Sequence, residues 1–173
     1  MKEHRFFLLI ILLSVLLCSC TDNNIKEQTN IEGKKIKIKH FTASILNSFY
    51  AEAYSVQTIL TDTDLKIIFK SDLAGEKDTT VFSKDLEPSD TLKQISEINI
   101  NHLKKYYANP CIEDGSQVTV IFNKNGESKS VHLSNYYQED IGKIIYLINS
   151  LVPDKYKVWY NKEKLLADYK HCK

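Results

Sequence analysis

Glycine and proline are scarce in this chain, with 5 and 3 among 173 residues. So few turn-formers and helix-breakers exclude a collagenous or broadly disordered polypeptide. They also leave no glycine-rich loop of the kind that cradles phosphates. Neither sign of charge dominates. The formal net charge of +1 exerts no overall pull toward nucleic acid, and no nucleic-acid partner is expected. Tryptophan and methionine occur once each, whereas tyrosine occurs ten times. The length suits one domain rather than two.

What is present begins with a positive head, Lys2 and Arg5, diluted by Glu3, and an apolar run from Phe6 to Cys18 broken only by Ser14. As a helix that run would reach ~20 Å, short of the roughly 30 Å hydrocarbon core. The pattern is that of a secretory signal rather than a spanning anchor. A buried core helix fits less well, because the run has no polar face.

The run closes on Leu17-Cys18-Ser19-Cys20. This tetrad resembles the lipobox of bacterial lipoproteins, in which a leucine and two small residues precede an obligatory cysteine. Cys18 departs from the usual Ala or Ser. The resemblance implies that residues 1–19 are a lipoprotein signal peptide and that Cys20 is the diacylglycerol-modified first residue of the mature chain. Several acyl chains, each methylene worth about 0.8 kcal/mol, anchor firmly where one chain is marginal. In many Gram-negative members of the family an aspartate after the cysteine retains the protein at the inner membrane. Here Thr21 follows, so the resemblance implies the outer membrane, with the periplasmic face and the cell surface both open. Residues 109–165, with Cys111-x-x-Asp114-Gly115, Leu133-Ser134-Asn135 and Trp159-Tyr160, are also similar to small envelope lipoproteins of unknown activity. That likeness implies no functional residues.

Loss of Lys2, Arg5 and Glu3 with the signal would take the formal charge from +1 to zero. With Cys18 removed and Cys20 acylated, Cys111 and Cys172 remain, in an oxidising compartment. They either pair or stay as two free thiols. Pairing would close a loop of about sixty residues and stabilise the fold by roughly 4 kcal/mol.

Residues 20–33 are polar and read as a lipidated tether, spanning roughly 20 Å root-mean-square. One α+β domain is expected over 34–173: an antiparallel sheet, built as a meander plus a hairpin, with two main helices on it and a short C-terminal helix. Alternation predicts strands over 35–41, within 50–60, over 65–70 and over 78–84. Ser89 is placed to cap a helix carrying Leu92, Ile95, Leu103 and Tyr106, with a break near 98–101. Val118–Phe122 and Ser130–Leu133 flank Asn125-Gly126, a hairpin signal. Asn135 is expected to cap the next helix, whose apolar stripe is Ile141, Ile144, Ile145, Ile148 and Leu151, with Pro153 stopping it. A short strand over 156–160 and a final helix capped by Asn161 complete the reading.

No constellation for catalysis stands out. There is no Gly-x-Ser-x-Gly elbow. His40, His102, His132 and His171 lack the close pairing of a metal site, and His132 is expected to face solvent. Asp114-Gly115 reads as a turn, and Asp140 as a residue favoured by the helix dipole. No cofactor, metal or catalytic residue is expected. Lys35, Lys37 and Lys39 share one side of the first strand; they are either a patch for anionic head groups or a face kept soluble by charge. Tyr136, Tyr137 and Trp159 are candidates for an aromatic contact patch, against ordinary packing. The leading expectation is a non-enzymatic envelope binding module, attached to the membrane through its lipid and meeting a protein or glycan partner. An envelope-polymer hydrolase and a structural subunit of an outer-membrane complex are the alternatives.

Overall fold

Seven segments with alternating inward and outward side chains pair into one sheet: β1 Phe41–Phe49, β2 Tyr54–Thr61, β3 Asp64–Ser71, β4 Thr79–Asp85, β5 Tyr106–Ala108, β6 Gln117–Lys124 and β7 Glu127–Ser134. The computed structural model describes residues 36–49, 53–71 and 73–172. The expected signal peptide, Cys20, the tether and Lys35 therefore lie outside the described residues. The strand order is β4-β3-β2-β1-β6-β7-β5. Every neighbour is antiparallel except β5, which runs parallel to β7. Three α-helices follow the strands in the chain at different points: α1 Asp90–Glu97, α2 Glu139–Asn149 and α3 Lys162–Lys170, with a 3-10 turn at Asp154–Tyr156. This is the α+β class expected, a meander of β1–β4 joined edge to edge with the β6–β7 hairpin.

The core lies on one face of the sheet. Ile45, Leu65, Ile67, Val120 and Val131 meet Leu92 and Ile95 of α1 and the isoleucine stripe 141, 144, 145 and 148 of α2, all buried. Each such side chain contributes about 1.5–3 kcal/mol by leaving water. The core cluster draws on residues from Phe41 to Val158, and residues 36–173 form one compact unit. That unit carries its own core. Caps fix the helix starts: Ser89 Oγ accepts from the Leu92 N–H at 3.3 Å, Gln138 Oε1 from Ile141 at 2.8 Å, and Asn161 Oδ1 from Lys164 at 2.8 Å. The hairpin turns at Asn125 and Gly126, with φ of 54° and 81°, as a turn with two left-handed residues requires.

Several expectations are corrected. The strand over 35–41 begins only at Phe41, because its neighbours end at Thr61 and Lys124 and offer no ladder further out. Alternation survives without pairing there: Ile36 and Ile38 turn inward, Lys37 and Lys39 outward. Tyr106 is not on a helix. α1 stops at Glu97, and Tyr106 opens β5. Asn135 does not cap α2; it adopts φ 50° and is buried. Its Oδ1 accepts from the Ser116 N–H at 2.8 Å and its Nδ2 donates to the Asp114 carbonyl at 3.0 Å. Residues 156–160 form no strand. The 3-10 turn is followed by an extended segment outside the sheet, with Val158 and Tyr160 inward and Lys157 and Trp159 outward.

At the β3–β4 edge the register shifts. Ile67 faces Phe82 and Ile68 faces Thr80, so Val81 is an extra residue in β4. Its carbonyl accepts a hydrogen bond from the Tyr156 hydroxyl at 2.9 Å.

Candidate aromatic site on the second helix

With its isoleucines turned to the core, α2 presents Gly142, Lys143 and Tyr146 on its other side. Tyr146 is 75% exposed. Gly142 and Tyr146 are four residues apart and share a face. The room left by Gly142 is taken by Tyr137: a Cβ at 142 would overlap the Tyr137 ring and hydroxyl. Tyr137 in turn stacks on Tyr160, centroids 5.3 Å apart. Lys162 Nζ lies 5.3 Å from the Tyr137 ring centre and 3.0 Å from the Glu139 carboxylate.

The extended segment 157–160 is held along α2 at both ends. At one end Asn149 binds the Val158 peptide: Nδ2 donates to the Val158 carbonyl and Oδ1 accepts from its N–H, both at 2.9 Å. At the other, the Tyr160 hydroxyl donates to the Tyr136 carbonyl and accepts from the Gln138 N–H, both at 2.9 Å. The segment therefore runs antiparallel to α2, from its C-terminal turn to its N-cap. Trp159 projects outward from the middle of it, 47% exposed. Burial holds the Tyr160 hydroxyl well above the usual phenol range. Burial also raises Tyr137, with the Glu139 charge adding to it. Both rings stay neutral under ordinary conditions and behave as rigid contact surface.

Tyr136 has a different place from Tyr137 and Trp159. It is half-buried, stacked on Tyr107 at 5.2 Å and met edge-on by Tyr169 at 5.2 Å. These contacts tie α3 to the sheet edge. The same end of α3 is bonded to the loop after β5 by Cys111 and Cys172, with S–S 2.02 Å and a separation of 61 residues. The expected pairing of these cysteines is thus present. Tyr146 was missed in the sequence, although its position opposite the isoleucine stripe marks it as outward-facing.

Lys37 and Lys39 are exposed. Lys39 also lines a polar cleft of about 230 Å³ with Asn99, Asn101, Lys124 and Glu127. His132 does not face open solvent. It is half-buried, with Nδ1 2.8 Å from Thr119 Oγ1, Nε2 3.1 Å from Gln117 Oε1, and its ring stacked on Tyr106 at 5.4 Å. Among the described residues no three His, Cys, Asp or Glu side chains gather into a group able to hold a metal. No helix among them is long and apolar enough to cross a membrane.

No family model, curated protein or solved structure matches the chain.

Proposed function

We propose that this chain is a lipid-anchored envelope protein, probing its surroundings as a binding module without catalytic activity. Its contact surface is the aromatic side of α2. The observation that carries this reading is the exposure of Tyr146 on α2 and of Trp159 on the segment bound along it, with Tyr137 packed on Gly142 and Tyr160 of the same two elements. Large exposed rings on a rigid frame offer contact area at little entropic cost. The Asn149 clamp and the Tyr160 hydroxyl fix the segment that carries Trp159 against α2 before a partner arrives. Lys143 and Lys162 add cationic edges. The partner is an envelope protein or glycan. Acylation at Cys20, directed to the outer membrane by Thr21, would concentrate the domain at that surface. Lys37 and Lys39, close to where the tether joins, would meet anionic head groups.

Two measurements test this. Acyl chains on Cys20 are read by mass spectrometry of the membrane-extracted protein; an unmodified Cys20 in a chain that still carries Met1 overturns the anchor. A Tyr146→Ala/Trp159→Ala variant is compared with the parent for pelleting with isolated cell-wall glycan and for cross-linking to envelope proteins. The variant should lose at least tenfold in one of these with its melting temperature unchanged. Equal retention in both overturns the aromatic surface.

A further inference from the structure

Among the described residues, helices roof only part of the core face of the sheet. Beyond the rows covered by α1 and α2, Asn47 of β1, Val56 of β2 and Phe69 of β3 stand side by side in register. They are half-buried. They floor a groove of about 290 Å³, whose other wall is Val81, Tyr156 and Val158. Two features shape this wall. The bulge adds Val81 to β4, and the Tyr156 hydroxyl bond to the Val81 carbonyl locks the 3-10 turn over the sheet. Among the described residues the lining is apolar apart from Asn47 and two lysines, Lys155 and Lys157. Both are exposed at the rim. Lys157 is paired with Asp154 at 2.7 Å. Lys155 Nζ lies 4.6 Å from the Tyr156 ring centre, and among the described residues it makes no ion pair.

We propose that this groove binds the aliphatic chain of a fatty-acid carboxylate, with the head group at Lys155 and Lys157. An apolar trough whose rim carries Lys155 beside the Lys157–Asp154 pair, a net positive charge, matches a molecule that is apolar along its length and negative at one end. A cationic amphiphile would set its charge against Lys155. A sugar would set its hydroxyls against Val56 and Val81, which offer them no hydrogen bonds. The groove is at the lower bound for ligand sites, which suits one chain rather than the pair of a diacyl lipid. Each added pair of methylenes should tighten binding about tenfold until the groove is filled. The site is separate from the aromatic surface of α2, although both share the segment 156–160: Val158 faces the groove and Trp159 faces outward.

Trp159 is the single tryptophan of the chain, one residue from the groove wall, so its emission reports on occupancy. The unit Ile36–Lys173 is titrated with octanoate, decanoate and dodecanoate below their micellar range, and with dodecyltrimethylammonium. Calorimetry supplies a second readout. The expected result is saturable binding that tightens with chain length, with the ammonium compound at least tenfold weaker than dodecanoate. Val81→Asp should abolish dodecanoate binding. Lys155→Glu, at an exposed position that leaves folding untouched, should weaken it at least fivefold and improve the ammonium compound. Equal affinity for both head groups, or unchanged binding in the Lys155 variant, overturns the head-group assignment. Unchanged binding in folded Val81→Asp overturns the location. No saturation by either readout overturns the site. Tyr146→Ala should leave all of these titrations as they are, which separates this proposal from that of the aromatic surface.

Discussion

Asn149 grips both polar groups of the Val158 peptide, donating to its carbonyl and accepting from its N–H at 2.9 Å. A side-chain amide thus stands in for a neighbouring strand. Val158 is 6% exposed, so water does not readily replace these bonds. Asn149→Ala should destabilise the domain by about 2–4 kcal/mol, two backbone groups losing their partners. A urea melt measures the loss. Trp159 emission should change before the global transition, because the segment detaches first.

Tyr160 sets an alkaline limit. Its raised folded-state pKa means that the folded protein keeps a proton that the unfolded chain releases at about pH 10. Stability from this group is complete below that pH and is lost as pH rises toward the folded value. Tyr137 adds to the same fall, since burial raises it too. Tyr160→Phe should cost about 1–3 kcal/mol at neutral pH, by leaving the Tyr136 carbonyl and Gln138 N–H unpartnered. It should also flatten the decline above about pH 10. Thermal melts between neutral and alkaline pH read both effects.

Gly142 tests the sign of a familiar rule. Glycine to alanine inside a helix normally stabilises by about 1 kcal/mol. Here the new methyl would overlap Tyr137 and push it off Tyr160. The ring stack and the apolar area that it buries outweigh the helix gain. Gly142→Ala should therefore lower the denaturant midpoint rather than raise it.

The cysteine pair fastens a helix with little else to hold it. Leu165 is the one fully buried side chain of α3, and Tyr169 meets Tyr136 edge-on. A Cys111→Ser/Cys172→Ser variant should lose roughly 4 kcal/mol by loop-closure entropy. Hydrogen exchange should show α3 losing protection first, ahead of the sheet. Uniform loss across the sheet and α3 would contradict this picture.

The elements whose local signals agreed with their partners were legible in the sequence. Asn125-Gly126 between alternating runs is one, and the stripe 141–148 on α2 is another. The α+β class followed from these. Failures came where pairing or a side chain elsewhere decides. Lys35–Phe41 alternates more cleanly than Phe41–Phe49, yet the latter is β1, because β2 and β6 end level with Phe41. Ala43 and Asn47 diluted the inward pattern of the true strand. Residues 157–160 alternate like a strand but are bound by Asn149 and by the loop before α2. Asn135 has the chemistry of a helix cap and spends it on the 114–116 turn, where a Cβ on Gly115 would overlap it. The aromatic site was half legible. Adjacent or rare aromatics mark Tyr137 and Trp159, and with them Tyr136, which packs between two other rings, whereas Tyr146 stands out only once the isoleucine stripe is set against the sheet.

The two borders of the sheet have one further consequence. β4 is interrupted by an extra residue whose carbonyl is already occupied by Tyr156. β5 is three residues long. Neither border is a good template for recruiting a strand from another molecule. Copies crowded together on a surface would thus resist lateral polymerisation into fibres through these two borders.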